Sequence, residues 1–342
     1  MTASEPTFNA PRWSIRIVGM LLSAVAIVIL AASVDLAQVG TVLAEAAPLP
    51  ILAAGGLVFV QLALVTTRWS LLLPRPPHRG RVTWRELIRP VALGYLGNFV
   101  LPARLGELIR AAYASRRWRL GVAQTLGSVA LERVVDTAVL AVIALVVAWV
   151  LGAPGWVIQV AGLAAAAGLA VLFMLASGIG PDLAERLTVG SAPRLVREAG
   201  MKVREFLIGA SGRGRARTVV LAAVLSLSSW LVEGVVYWLV GEAVGLSLTF
   251  AEAMLVAAIT VLATAIPSAP AYLGTFELAV TSVAGALGHP PAAALAWGVV
   301  AHVVTVVPLL LAGLAALLTA GRGLQEIIDD ARSVEGERST TS

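Results

Sequence analysis

Long apolar runs separated by short clusters of arginine set the pattern of this chain. A membrane-spanning helix needs about 20 predominantly apolar residues, and runs of that kind cover 17–32, 51–73, 121–151, 156–176, 219–240 and 292–320. Six full spans are therefore predicted. Two further apolar stretches break before they reach spanning length: 84–113 turns near Pro102, and 250–287 is interrupted at Pro267 and Pro270. Irregular backbone survives at membrane depth only where it is buried in protein or lines a wet cavity, so both stretches read as re-entrant or broken helical hairpins. The predicted fold class is an all-α polytopic membrane protein.

The charges orient this scaffold. Short loops rich in Lys and Arg stay on the cytoplasmic side. Arg75, Arg79, Arg81, Arg85 and Arg89 follow the second span, whereas the loop before it offers only Asp35 and Glu45. Both termini are then cytoplasmic, in the cell (plasma) membrane. The first span follows Arg12 and Arg16 as a signal peptide would, but the spans behind it favour a retained helix. The longest polar stretch, 181–217, carries Arg186, Arg194, Arg197, Lys202, Arg204, Arg213, Arg215 and Arg217 interleaved with Leu195, Val196, Met201, Val203, Phe206 and Leu207. That mixture suits an amphipathic helix lying on an anionic inner leaflet. It is also the one plausible boundary between a first half, 1–180, and a second half, 218–320. The Ser-, Thr- and Glu-rich tail, 321–342, is expected to be disordered.

Composition narrows the function classes. Hydrophobic residues make up 58% of the chain and charged residues 13%, with a mean hydropathy of +0.89; soluble domains hold about 45–50% apolar and about 25% charged residues. The pI near 10.4 comes from arginines beside apolar runs, which points to the bilayer and away from nucleic acid. Cysteine is absent, which removes disulfides and thiolate chemistry. Lys202 is the only lysine and follows no Gly-rich phosphate loop, and His78, His289 and His302 stand far apart. Neither a cofactor nor a metal is expected.

A short self-similarity links the two halves. Pro102-Ala103-Arg104-Leu105-Gly106-Glu107 recurs as Pro270-Ala271-Tyr272-Leu273-Gly274-Thr275, an offset of 270 − 102 = 168 residues. The same offset carries the second span onto 219–241 and the third onto 289–319. From the loop charges the first hairpin opens to the cytoplasm and the second to the outside, so the halves are expected to be inverted repeats, the plan of many secondary transporters. The alternative is a chance match in an Ala- and Leu-rich chain.

The residues Gly97-Asn98-Phe99-Val100-Leu101-Pro102-Ala103-Arg104-Leu105-Gly106-Glu107 with Arg110, then Glu132-Arg133-Val134-Val135-Asp136, then Ile266-Pro267-Ser268-Ala269-Pro270 with Leu273-Gly274-Thr275-Phe276-Glu277, together resemble the flippase-like family that includes the transmembrane region of lysylphosphatidylglycerol synthases. The resemblance covers nearly the whole chain. It implies translocation of a lipid or lipid-linked substrate, such as an aminoacylated phosphatidylglycerol or a polyprenyl-linked glycan. The soluble aminoacyl-transfer domain of full-length synthases is expected to be absent. In the second motif Ala271 stands where that family would usually place a glycine.

Several charged residues fall within or beside apolar helices, where ionisable groups default to function. Arg104 and Arg110 follow the first break, where a guanidinium fork suits a lipid phosphate; the alternative is anchoring at headgroups. Glu107 lies three residues from each and pairs with either on one helix face. Glu132 and Asp136, four apart, put like charges on one face and require a cation between them, for which Arg104 and Arg133 are the candidates. Glu233 lies about 24 Å from Arg217 at helical rise, and with Glu277 would place acid toward the outward side. Asn98, Tyr272 and His302 complete the candidate set, His302 either as a proton relay or as an interhelical hydrogen bond. No catalytic frame emerges. The expected function is movement of an anionic or zwitterionic phospholipid, or a polyprenyl-linked lipid, between leaflets. The rivals are an intramembrane lipid-modifying enzyme using Glu132 or Asp136 as base, and a membrane scaffold partner of a glycosyltransferase or synthase.

Overall fold

The computed structural model describes residues 10–77, 82–101, 105–152, 155–177, 194–210, 216–264 and 268–319. Among these residues the chain forms twelve α-helices and no strand. They are α1 (Ala10–Ser33), α2 (Leu36–Glu45), α3 (Pro48–Leu72), α4 (Trp84–Val100), α5 (Gly106–Trp118), α6 (Val122–Val150), α7 (Gly155–Ala176), α8 (Arg194–Ala210), α9 (Ala216–Ala243), α10 (Phe250–Ala263), α11 (Thr275–Ala286) and α12 (Pro291–Leu318).

Five of them, α3, α6, α7, α9 and α12, are long and apolar enough to cross a bilayer. A sixth span is reached if α1 and α2 are taken together, although they bend by 88° at residues 34 and 35. The sequence pattern treats 33–47 as a loop; the structure folds 36–45 as a helix. The reason is local: the Asp35 carboxylate accepts from the Ala37 and Gln38 backbone N–H groups and caps the new helix. Leu49, Leu163, Phe173 and Leu318 stand exposed on the long helices, as a hydrocarbon solvent permits and water does not.

The two interrupted stretches form as pairs of short helices. At about 1.5 Å per residue, α4, α5, α10 and α11 cover roughly 25, 20, 21 and 18 Å, each less than the hydrocarbon core of about 30 Å. α4 and α5 run back along each other. A Cβ on Gly97 would lie 2.7 Å from the Gly106 Cα, and one on Gly94 would lie 3.4 Å from the Arg110 Cβ, so only glycine lets the two backbones meet near the break. Pro102, Ala103 and Arg104, at the turn itself, lie outside the described residues, as does Pro267 in the second break. At the open end of the second pair, His289 Nε2 sits 3.6 Å from Glu252 Oε1, while a capping box between Thr249 and Glu252 starts α10.

The offset of 168 holds at the level of elements. Added to the starts of α3, α4, α5 and α6 at 48, 84, 106 and 122, it gives 216, 252, 274 and 290; α9, α10, α11 and α12 begin at 216, 250, 275 and 291.

Two compact units divide the chain, each drawing on segments from both sides of the 181–217 linker. One contains Met1–Gly55, Asn98–Arg104 and Gly234–Val306; the other contains Gly56–Gly97, Leu105–Glu233 and Val307–Ser342. In the second unit α8 lies against α6. A Cβ on Gly127 would meet the Phe206 carbonyl oxygen at 2.0 Å, and one on Gly209 the Gln124 carbonyl oxygen at 1.9 Å. The linker helix is thus held by backbone contact with α6, while Met201, Val203 and Phe206 remain exposed. The rest of the linker between 178 and 193, and the tail, lie outside the described residues.

Candidate functional site

In the larger of the two units, three helices deliver charges to one buried point. Glu132 and Asp136 lie one turn apart on α6, and Arg68 enters between them from α3. Its Nη2 donates to Glu132 Oε1 at 2.8 Å and to Asp136 Oδ2 at 2.9 Å, and its Nη1 donates to Asp136 Oδ1. The second Glu132 oxygen accepts from Arg110 Nη2 of α5 at 2.5 Å. Arg68 is 1% exposed and Glu132 is fully buried. Ser226 of α9 donates to Asp136 Oδ1 at 2.6 Å. Trp69 positions the cluster twice: the Arg110 guanidinium lies 4.5 Å over its ring, and its indole N–H donates to Ser128 at 3.3 Å.

Two further charges form the rim. The Arg133 side chain, 40% exposed, reaches Glu107, Glu132 and Asp136 only at 3.5–3.6 Å, beyond good hydrogen-bond range. Three arginines and three carboxylates therefore cancel. Cancellation matters because an isolated charge in a low-dielectric interior costs several kcal/mol, and removing one partner of a buried pair costs about 3–5 kcal/mol. The inner four groups are locked by short bonds. Arg133 is the most exposed of the three arginines and holds its partners only at 3.5–3.6 Å, so it is the member whose contacts break at least cost.

The other unit holds a second constellation. His302 of α12 faces Glu277 of α11, Nδ1 to Oε1, at 2.5 Å, and its Nε2 faces the Ala271 carbonyl at 2.7 Å. Phe276 stacks on the imidazole at 4.5 Å between centroids. A carbonyl oxygen only accepts, so Nε2 carries its proton, and one more proton lies in the contact between Nδ1 and the carboxylate. The other Glu277 oxygen accepts from the Gly274 N–H at 2.7 Å. Between the break and α11, Ala271 and Tyr272 adopt left-handed backbone, φ 54° and 63°, a conformation costing about 1–2 kcal/mol for residues with a Cβ. His302 holds the first of these strained residues through its carbonyl.

The sequence candidates thus divide. Glu107, Arg110, Glu132, Arg133 and Asp136 come together in the larger unit, and Glu277 and His302 in the other, with Tyr272 beside the Ala271 that His302 contacts. Arg104 lies outside the described residues. Asn98 keeps a buried Oδ1 without a hydrogen-bond partner. Glu233 joins neither group and accepts from Gln61 Nε2 of α3, a neighbouring helix, at 2.7 Å. The cation hydrogen-bonded to both Glu132 and Asp136 is Arg68, where the sequence offers Arg104 and Arg133; Arg133 also approaches both carboxylates, at 3.5 and 3.6 Å. Arg68 was legible: it is the single charge within the 51–73 run, and an arginine inside an apolar span calls for a buried partner. The His302 partner was not legible, since Glu277 lies 25 residues away on another helix.

Among known proteins, the chain is 25% identical over 353 aligned residues to a protein named Glycosyltransferase AglD from Haloferax volcanii. The alignment takes in 93% of this chain and 56% of that relative, so the chain spans little more than half of its length. The profile of one family matches residues 16–313, which include both breaks and both charge constellations. This multi-pass, lipid-associated membrane protein belongs to the family of the lysylphosphatidylglycerol synthase transmembrane region.

Proposed function

We propose that the protein moves an anionic or zwitterionic lipid, either a phospholipid or a polyprenyl-linked precursor, between the leaflets of the plasma membrane. The supporting observation is the neutral six-charge cluster built on α3, α5 and α6, with one loosely held arginine at its rim. Spanning helices gain nothing in stability from six ionisable groups that apolar residues of similar volume could replace; such a cluster is explained by a charged ligand that must be met at depth. In this reading Arg133 gives up its weak contacts to Glu107, Glu132 and Asp136 and binds a lipid phosphate. Arg68 and Arg110 keep Glu132 and Asp136 neutralised while it does so. The two halves work as inverted repeats, with both termini and the basic linker on the cytoplasmic side and the linker helix on the anionic leaflet.

The test is reconstitution of the full chain in liposomes carrying fluorescent phosphatidylglycerol or a labelled polyprenyl phosphate. Wild type is expected to accelerate exchange between leaflets. Arg133→Gln should slow it about tenfold, corresponding to one charge-assisted hydrogen bond of about 1.5 kcal/mol, with a smaller loss of thermal stability than Glu132→Gln. Folded wild-type protein that accelerates none of these lipids overturns the proposal. The name of the archaeal relative keeps a part in lipid-linked glycan assembly in view, and preference for the polyprenyl phosphate over the phospholipid would favour it.

A further inference from the structure

The open end of the α4–α5 hairpin contains a feature that the charge cluster does not use. The two helices separate there around a cavity of about 160 Å³ lined by Arg85, Glu86, Arg89, Tyr113, Arg117 and Trp118. Arg85, Glu86 and Arg89 reach it from α4, and Tyr113, Arg117 and Trp118 from α5. Three guanidiniums and one carboxylate face this space. The carboxylate is occupied elsewhere: Glu86 Oε2 accepts from the Thr83 N–H at 3.0 Å and from the Thr83 hydroxyl at 2.8 Å. No ion pair of Arg85, Arg89 or Arg117 is found among the described residues.

The second observation is independent of charge. Trp118 is 4% exposed, yet its indole N–H is buried with no hydrogen-bond partner. A buried donor left unpaired costs about as much as a lost hydrogen bond, and a tryptophan N–H can only donate. No acceptor lining the cavity bonds this N–H. Three arginine forks and a spare N–H donor ask for a ligand that is acceptor-only and carries more than one negative charge, the chemistry of a phosphate monoester or a diphosphate.

We infer that the cavity between the outer ends of α4 and α5 is a binding site for a phosphate monoester or diphosphate group, gripped by Arg85, Arg89 and Arg117 and by the Trp118 indole N–H. The site is distinct from the buried cluster and stands whether or not the protein moves lipids. Both lie on α5: Arg110 and Arg117 are seven residues apart, two turns on one helix face, or roughly 10 Å. Such a group arrives either on a lipid, as in phosphatidic acid or a polyprenyl phosphate, or on a soluble ester.

Titration of full-length purified protein distinguishes the sources. In detergent, pyrophosphate binding is followed by calorimetry; in nanodiscs, retention of phosphatidic acid is measured against phosphatidylcholine. Wild type is expected to bind at least one of the two phosphate probes. The double variant R89Q/R117Q should weaken that binding at least about tenfold. W118F, which keeps an aromatic ring and removes the donor, should weaken it severalfold, and R75Q, at an exposed arginine between α3 and α4, should leave it unchanged. Binding of phosphatidic acid alone assigns the site to a lipid phosphate, and binding of pyrophosphate alone assigns it to a soluble ester. The inference is overturned if neither probe binds, if the variants bind as wild type does, or if R75Q weakens binding as much as R89Q/R117Q, since the attraction would then be general surface charge.

Discussion

Glu132 shows how far one residue can bind a membrane protein together. Both its oxygens are taken, one by Arg68 and one by Arg110, so it ties α3 and α5 to α6. Glu132→Gln keeps the shape but leaves two buried guanidiniums facing an amide. The expected loss is about 3–5 kcal/mol of stability, readable as a large drop in the unfolding temperature of the detergent-solubilised protein. Unchanged stability would mean that the arginines find other acceptors and that Glu132 is not the tie. Ala271 offers the opposite case. It holds φ 54°; relieving the left-handed strain, less the extra entropy of a glycine in the unfolded chain, should leave Ala271→Gly more stable by about 0.5–1 kcal/mol. A lower unfolding temperature for that variant would show that the turn is not strained as its backbone suggests. At this scale the sequence revealed charges but not their partners. Glu132 with Asp136, and Arg110 with Glu107, were legible as neighbours on one helix face, yet Glu107 reaches Arg133 and Arg110 reaches Glu132. The charge of Arg68 was legible inside its apolar run, but its partners, like that of Glu277, emerge only when helices distant in sequence pack, and no local period records that.

Elements were far more legible than pairings. Each apolar run longer than 20 residues became a helix whose ends the pattern places within a few residues, because burial in lipid dictates both length and composition. The first span was the exception, since a single Asp35 cap turns its continuation through 88°. The repeat also acquires chemistry here. Shifted by 168, Arg110 and Glu132 fall at 278 and 300, within two residues of Glu277 and His302. Each repeat thus ties the second helix of its broken pair to the following long helix through a short ionisable contact, Arg110 to Glu132 in the first and Glu277 to His302 in the second. Packing of the linker helix permits a sharper test. Gly209→Val would drive side-chain carbons into the Gln124 carbonyl and should destabilise the protein by about 1–3 kcal/mol or more. Gly55→Ala, where nothing lies within 4 Å, should instead stabilise α3 by up to about 1 kcal/mol. Equal unfolding temperatures for the two variants would argue against close packing of α8 on α6.

At the scale of the whole molecule, orientation follows from where the arginines fall. The segment between α3 and α4 carries Arg75, Arg79 and Arg81, and the linker region carries Arg194, Arg197, Lys202 and Arg204. The turn between α9 and α10 has no basic residue, and the one between α1 and α3 has Asp35 and Glu45. Basic short loops stay inside, so the first broken pair is expected to open inward and the second outward, the arrangement of the proposed inverted repeat. The absence of cysteine makes this directly measurable, because any single cysteine introduced is the only thiol present. Gln38, Arg75, Lys202 and Ser247 are all exposed. In intact cells a membrane-impermeant maleimide should label Gln38→Cys and Ser247→Cys, and should reach Arg75→Cys and Lys202→Cys only after permeabilisation. Labelling of Arg75→Cys and Ser247→Cys from the same side would place both broken pairs on one face of the membrane. The matching element lengths would then record a parallel duplication, and alternating access between oppositely oriented halves would lose its basis even if the lipid assay succeeded.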